Sequence, residues 1–449
     1  MRLLTLYVVA VAFFNYLLIP GVALSRPPWV VGLALAGVAC FGVLREGQLP
    51  RPGPFGLALM FFGVTTIANG VPLWLSDPAS FADYVRTEFQ FLLALGVVFA
   101  FVRARLDEER VARLLKVWVW TAAVAAVYGI YQSFARVLGL PLQELPIAAR
   151  GFSGMIVKEF FGFFAASAWF AEPSWLGSFL LVPLLYVVGV IVFDPPAPLR
   201  FKSQRQAWWL ATLLLLGLFV SLSQAAYATM LVVAVPLLWS LRGRLRLGRA
   251  LRVAGVAAAI MLAVTLPFAV SGANLIGAQW SRFAAIVTGW RTPETVWLGT
   301  SYSVRMKDML GGLQLWESSP VIGVGINAVR HHPEARLLTD PQSGSVDSGL
   351  LQVLVEQGIV GFVALMLALA ILWERLAAAR AAAGDPRRWF LLWFLAWGLV
   401  TDVVNSGVTH PWQHPQRWLV IALAASLLAF LGRSATESAP ARAAGAASA

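Results

Sequence analysis

The sequence predicts an all-α polytopic membrane protein, and three observations carry that reading. Hydrophobic residues make up 59% of the 449 positions, charged residues only 12%, and the mean hydropathy is +0.74, whereas soluble domains carry about 25% charged residues. The apolar residues fall in runs close to the ~20 that a spanning helix needs. The basic residues cluster in short stretches between alternate runs, as cytoplasmic loops do.

Taken in order, the apolar runs place spans at 3–22, 29–44, 55–74, 89–102, 117–138, 174–193, 207–222, 225–241, 253–271, 349–373, 389–404 and 417–432, about twelve. The opening run has the short basic start of a signal peptide, but it is near spanning length and more spans follow, so it reads as an uncleaved first helix. The apolar stretch 207–241 is too long for one ordinary helix, and Ser221-Leu222-Ser223-Gln224 divides it as a tight hairpin.

Orientation follows from arginine and lysine. Arg45 and Arg51 lie in 45–54; Arg103, Arg105, Arg110, Arg113 and Lys116 in 103–116; Arg200, Lys202 and Arg205 in 194–206. Five arginines crowd 242–252, and Arg375, Arg380, Arg387 and Arg388 lie in 374–388. All these loops fall on one side if both termini are cytoplasmic. The chain then divides into N-terminal helices (1–138), an extracytoplasmic segment (139–173), central helices (174–271), a large extracytoplasmic loop (272–348), C-terminal helices (349–432) and a small-residue tail (433–449) expected to be disordered. The segment 139–173 is aromatic but interrupted by Arg150, Lys158, Glu159 and Glu172, which suits an amphipathic helix lying in the interface.

Charge and cysteine usage exclude several function classes. The net charge of +12 would suit nucleic acid, but its confinement to short loops assigns it to topology instead. The single cysteine, Cys40, permits no intramolecular disulfide and reads as a small core residue. No phosphate-binding loop, dinucleotide glycine pattern or nucleophile elbow is present. The histidines, His331, His332, His410 and His414, lack metal-ligand spacing and accompanying ligands, so neither a metal nor a cofactor is expected.

Candidate chemistry concentrates in 272–348, where Arg282, Arg291, Arg305, Lys307, Arg330 and Arg336 face Glu294, Asp308, Glu317, Glu334, Asp340 and Asp347. The arginines are either solvated surface charges or ligands for phosphate oxygens, which their planar forks suit. Arg305 opens a helical stretch ending at Pro320, followed by the Gly323-Val324-Gly325 turn. Those glycines either turn the chain or bring amides to an anion. Asp347 precedes a long apolar helix and is either its N-cap or a base that engages a sugar hydroxyl. Glu356, two turns into that helix, must face protein or water, because an unpaired carboxylate in lipid is costly.

These residues resemble the O-antigen polymerase and O-antigen ligase superfamily. Its members carry, in a large periplasmic loop, an arginine, then a Pro-x-x-Gly-x-Gly turn, then a polar residue opening a Leu-x-x-Leu-x-Glu-x-Gly-x-x-Gly helix. Here these are Arg305, the run Pro320 to Gly325, and Asp347 leading into Leu351 to Gly361. The ligases carry histidine where Asp347 stands, family members often have Ser-Arg where this chain has Ser223-Gln224, and Glu172-Pro173-Ser174 looks more like the polymerases. The resemblance implies a metal-independent membrane glycosyltransferase fold in the bacterial inner membrane. It implies a polymerase moving glycan from a polyprenyl diphosphate carrier to a sugar hydroxyl of a lipid-linked repeat unit. Asp347 and Arg305 would be catalytic, with Arg150, Arg282, Arg291, Gly323 and Gly325 binding substrate. The expected partners are polyprenyl diphosphate-linked oligosaccharide and membrane lipid, with a chain-length regulator as an accessory and no nucleic acid. A ligase, or another lipid-linked-glycan transferase, is the alternative within the family, and a lipid-linked oligosaccharide flippase the alternative outside it.

Overall fold

A computed structural model describes residues 1–14, 26–47, 52–76, 81–143, 159–160, 163–170, 172–241, 299–326, 346, 348–409 and 414–446, with isolated positions 248, 255 and 259. It is a helical bundle. Among the described residues the helices are α1 (Arg2–Ala12), α2 (Pro27–Glu46), α3 (Pro54–Ser76), α4 (Phe81–Ala104), α5 (Glu108–Leu138) and α6 (Pro173–Phe193). There follow α7 (Gln204–Ser221), α8 (Gln224–Leu241), α9 (Gly299–Ser318), α10 (Gly349–Ala381), α11 (Pro386–Val408) and α12 (Pro415–Ala446). Eight of them are long and apolar enough to cross a membrane, so the protein is polytopic. Apart from positions 255 and 259, the span expected at 253–271 lies outside the described residues, as do residues 15–22 of the first span.

Local chemistry sets the helix ends. Asp107 caps α5 by accepting from Arg110 N at 2.8 Å, and Glu108 and Glu109 in the first turn complement the helix dipole. Ser203 caps α7 and Asp385 caps α11. The hairpin expected at 221–224 is present: α7 stops at Ser221, Leu222 turns the chain in the left-handed region (φ 51°), and Ser223 Oγ accepts from Ala226 N at 3.2 Å.

Four of the basic loops, 45–54, 103–116, 194–206 and 374–388, meet at one end of the bundle, and the fifth, 242–252, lies largely outside the described residues. Arg103 pairs with Glu46, Arg388 Nε donates to Glu108 Oε1 at 2.7 Å, and Lys116 Nζ donates to Pro198 O. Large apolar side chains cover the outside of the bundle, among them Val38, Phe41, Leu44, Val235 and Trp239; this is a surface for lipid rather than water. Inside, small residues let helices close up. Gly217 lies where a Cβ would be 2.5 Å from that of Ala126, and Gly177 packs on Ser223.

Four expectations need correction. Cys40 is exposed on α2; that helix is apolar all round, so its sequence does not reveal which face looks inward. Within 139–173 the described residues 159–160 and 163–170 are not helical: Glu159 pairs with Phe164 and Phe160 with Phe163 as an antiparallel ladder, consistent with the strand preference of aromatic residues. Ala165 to Ala168 then pack on α5, where Gln132 Oε1 accepts from Ser167 N and Ala168 N and Arg136 Nη1 donates to Ala165 O. The tail continues α12 as backbone helix to Ala446; its alanines favour helix even where no apolar face demands one. Finally, α4, α5 and α10 run past the predicted spans, because hydropathy detects the lipid-immersed section and not the polar turns that extend it.

Candidate functional site

The site is organised by a break in α10. Gly358 has φ 63° and ψ −171°, so the helix is interrupted in its third turn, and backbone groups there lose their helical partners. The Pro320–Gly325 loop supplies replacements. Val324 N donates to Val355 O and Gly325 N to Glu356 O, each at 3.0 Å. In return Ile359 N donates to Pro320 O at 2.9 Å and Val360 N to Val321 O at 3.2 Å. The approach is too close for side chains: a Cβ on Gly323 would meet Glu356 O at 2.4 Å, and one on Gly358 would meet Val321 O at 2.3 Å.

The amides of Gly323 and Gly325 are therefore engaged within the chain, the first with Ser319 O at 2.9 Å and the second with Glu356 O. These glycines lock the loop to the broken helix, and the anion cradle considered from the sequence is not what their amides form. The loop lies level with polar side chains from α3 and α10. Asn69 Nδ2 donates to Gln357 O at 3.1 Å, and Gln352 Nε2 donates to the buried Glu356 carboxylate at 2.9 Å. Glu356 thus faces protein, as its cost in lipid requires.

This knot holds α9 along α10. Gly312 on α9 lies where a Cβ would be 3.0 Å from Val346, and Leu315, Val346 and Val355 form a small core. Arg305 is on α9 two turns before Gly312, roughly 10 Å along the axis at 1.5 Å per residue; its side chain is outside the described part. Arg150, Arg282, Arg291 and Asp347 also lie outside the described residues.

The residues flanking Asp347 are well placed. Val346 and Ser348 are buried. The N-cap of α10 is Ser348, whose Oγ accepts from Leu351 N at 3.3 Å. Gly349 N reaches Thr409 O at 3.4 Å, tying this helix start to the end of α11. The same carbonyl accepts from Arg417 Nη2 at 2.9 Å.

Arg417 is a residue that sequence reasoning missed. It is fully buried in the first turn of α12 and interacts with Asp402 of α11. His414, just before α12, is also buried; desolvation first, then the Arg417 and Arg26 charges, hold its pKa well below 6.5, so it is neutral at pH 7. Nearby, Asn405 Oδ1 accepts from Ser178 Oγ at 3.3 Å and Thr229 Oγ1 at 3.2 Å. A signal was present: the predicted topology puts Arg26, Arg86 and Arg417 on the side that basic residues avoid. Among the described residues no group of three or more His, Cys, Asp or Glu could hold a metal ion.

Comparison with curated proteins gives no match. The model of the family described as O-antigen ligase matches residues 209–366, a segment that contains the hairpin, Arg305, the docked loop and the break in α10. Over that segment the chain is similar to the O-antigen ligase family, consistent with an O-antigen polymerase and ligase superfamily.

Proposed function

We propose that this protein is a cell-surface polysaccharide polymerase of the bacterial inner membrane. It transfers a growing glycan from polyprenyl diphosphate to a sugar hydroxyl of a lipid-linked repeat unit. The observation that carries the reading is the cap of α10. Because Ser348 takes the capping hydrogen bond, the carboxylate of Asp347 is not needed for it, and it stands where the resembling ligases place histidine. Asp347 then orients and deprotonates the acceptor hydroxyl. The hydroxyl oxygen bonds to the anomeric carbon, the bond from that carbon to the diphosphate oxygen breaks, and the diphosphate leaves with the electron pair. The proton passes to Asp347. Arg305, on the helix whose far end the docked loop fastens to α10, offsets the charge growing on the diphosphate without a metal. Arg150, Arg282 and Arg291 hold diphosphate or glycan.

In a deletion strain single lipid-linked units should accumulate on the outer face, and plasmid-borne wild type should restore long polymer. Asp347→Ala should lower polymerisation by roughly 10²–10⁴-fold and Arg305→Ala by roughly 10²–10³-fold. Normal polymer length with both variants would overturn the assignment. The description of the matching family supports a second reading, ligation; it predicts lipid-linked polymer of normal length that is never attached in the deletion strain.

A further inference from the structure

Two buried carboxylates come together where α3, α4 and α10 meet, and the proposed transfer uses neither. Glu88 on α4 and Glu356 on α10 are each only 5% exposed, and the Glu356 charge acts on Glu88. The helix face aims Glu88 inward. Tyr84, Glu88 and Phe91 follow one another at spacings that share one face of α4. Tyr84 Oη donates to Ile67 O at 3.1 Å, and the Phe91 ring packs edge-on to Phe62 at 5.1 Å, so that face looks onto α3. The same stretch of α3 reaches α10: Asn69 Nδ2 donates to Gln357 O, and Thr65 Oγ1 lies 3.4 Å from Gln357 Oε1.

Acceptors outnumber donors here. Among the described residues neither Glu88 oxygen has a hydrogen-bond partner, and Gln352 Oε1, also buried, has none either. Gln352 turns its Nε2 to Glu356 Oε1 at 2.9 Å, so its orphan oxygen belongs to the same group. The donors around the break in α10 are spent on backbone. Val324 N, Gly325 N and Asn69 Nδ2 serve the carbonyls of Val355, Glu356 and Gln357, while Ile359 N and Val360 N serve those of Pro320 and Val321. Arg86, two residues before Glu88, stands on another face of α4, and its charge acts on Arg26. A buried carboxylate without a counter-charge is strongly destabilising, and a second carboxylate beside it adds repulsion. The orphan acceptors therefore call for a cation.

The donor set is oxygen alone, from two carboxylates and an amide. Such oxygens suit hard ions rather than the transition metals that histidine and cysteine hold, and membrane proteins hold Na⁺ at interrupted helices. We propose that Glu88, Gln352 and Glu356 bind one hard inorganic cation, Na⁺ or Ca²⁺. The ion joins α4 to the interrupted α10 and so steadies the docked Pro320–Gly325 loop. It takes no part in the transfer step, and it is needed whether or not the chain is a polymerase.

The test uses the full chain in phosphatidylcholine nanodiscs, freed of metal and held in choline chloride. Radioactive Na⁺ and Ca²⁺ are separate probes in equilibrium dialysis, and thermal unfolding is followed with each salt at matched ionic strength and several pH values. The wild type should take up one ion per chain and unfold at a higher temperature with it. Glu88→Gln should bind about ten-fold or more weakly. In choline chloride it should unfold at or above the wild-type midpoint, because a buried charge without a partner has been removed. Glu356→Gln should weaken binding likewise, and it keeps the test open if Glu88→Gln does not fold. Glu109→Gln, exposed on α5 and paired with Arg113, should bind as wild type. Saturable binding of either ion supports the site and names the ion. No binding of either, or binding unchanged in Glu88→Gln or in Glu356→Gln, overturns it. So does a lower midpoint for Glu88→Gln in choline chloride, which would mean that donors within the protein already hold Glu88. A wild-type midpoint that follows pH but neither salt also overturns it, since two carboxylates sharing a proton would behave that way.

Discussion

At the scale of single residues, Ser348 and Asp347 are neighbours whose roles separate cleanly by experiment. Ser348 Oγ holds the first turn of α10, so Ser348→Ala should cost about 1 kcal/mol of stability. If Asp347 is chemical rather than structural, Asp347→Ala should leave the thermal unfolding midpoint unchanged while removing activity. A midpoint that falls more in Asp347→Ala than in Ser348→Ala would return the cap to Asp347. His414 makes a second residue-scale prediction. Its native pKa is held well below 6.5, so below that pH the unfolded chain binds a proton that the folded chain refuses. Stability should therefore be full above pH 6.5 and fall as pH drops toward the native value. Unfolding midpoints at pH 7.5 and pH 5, compared between wild type and His414→Asn, check this: the variant should lose part of the slope.

At the scale of elements, the docked Pro320–Gly325 loop explains why glycine recurs in the motif. Gly358 occupies a backbone region that is essentially closed to other residues, and a Cβ there would meet Val321 O at 2.3 Å. Gly358→Ala should cost on the order of 3 kcal/mol, combining backbone strain with lost loop contacts. Limited proteolysis should then cut near 319–326 faster than in the wild type, whereas an unchanged cleavage rate would mean that the loop is held by something other than this break. The sequence motif placed Gly323, Gly325, Glu356 and Gly358 in one ordered set, but not their use. Glu-Gln-Gly-Ile-Val-Gly reads as continuous helix by hydropathy, and a break paired with a distant loop leaves no periodic trace. The hairpin at 221–224, by contrast, was legible because length alone forbids one helix over 207–241. The cluster of Arg26, His414 and Arg417 was hidden for another reason: its members are 391 positions apart at the extremes, and each looks locally like an ordinary loop charge.

At the scale of the whole molecule, sidedness gives these elements their meaning. The loops carrying Glu46, Arg103, Glu108, Pro198 and Arg388 meet at one end of the bundle, while the starts of α2, α6, α10 and α12 meet elsewhere, around Phe14 and Thr409. Four of the loops predicted to be cytoplasmic, 45–54, 103–116, 194–206 and 374–388, are therefore neighbours in space, which agrees with the arginine distribution; one span fewer in 207–241 would put every later basic loop on the opposite predicted face. Orientation in the cell is directly testable. In a Cys40→Ala background, Asp340→Cys in the large outer segment should react with a membrane-impermeant maleimide in spheroplasts. Lys202→Cys, in the loop that receives the Lys116 side chain, should react only after the membrane is permeabilised. Labelling of Lys202→Cys in sealed spheroplasts would invert the topology. It would also place Asp347 and Arg305 on the cytoplasmic face, where the proposed polymerisation of already exported repeat units has no substrate. The labelling pattern thus tests the orientation and the polymerase reading together, before any sugar is assayed.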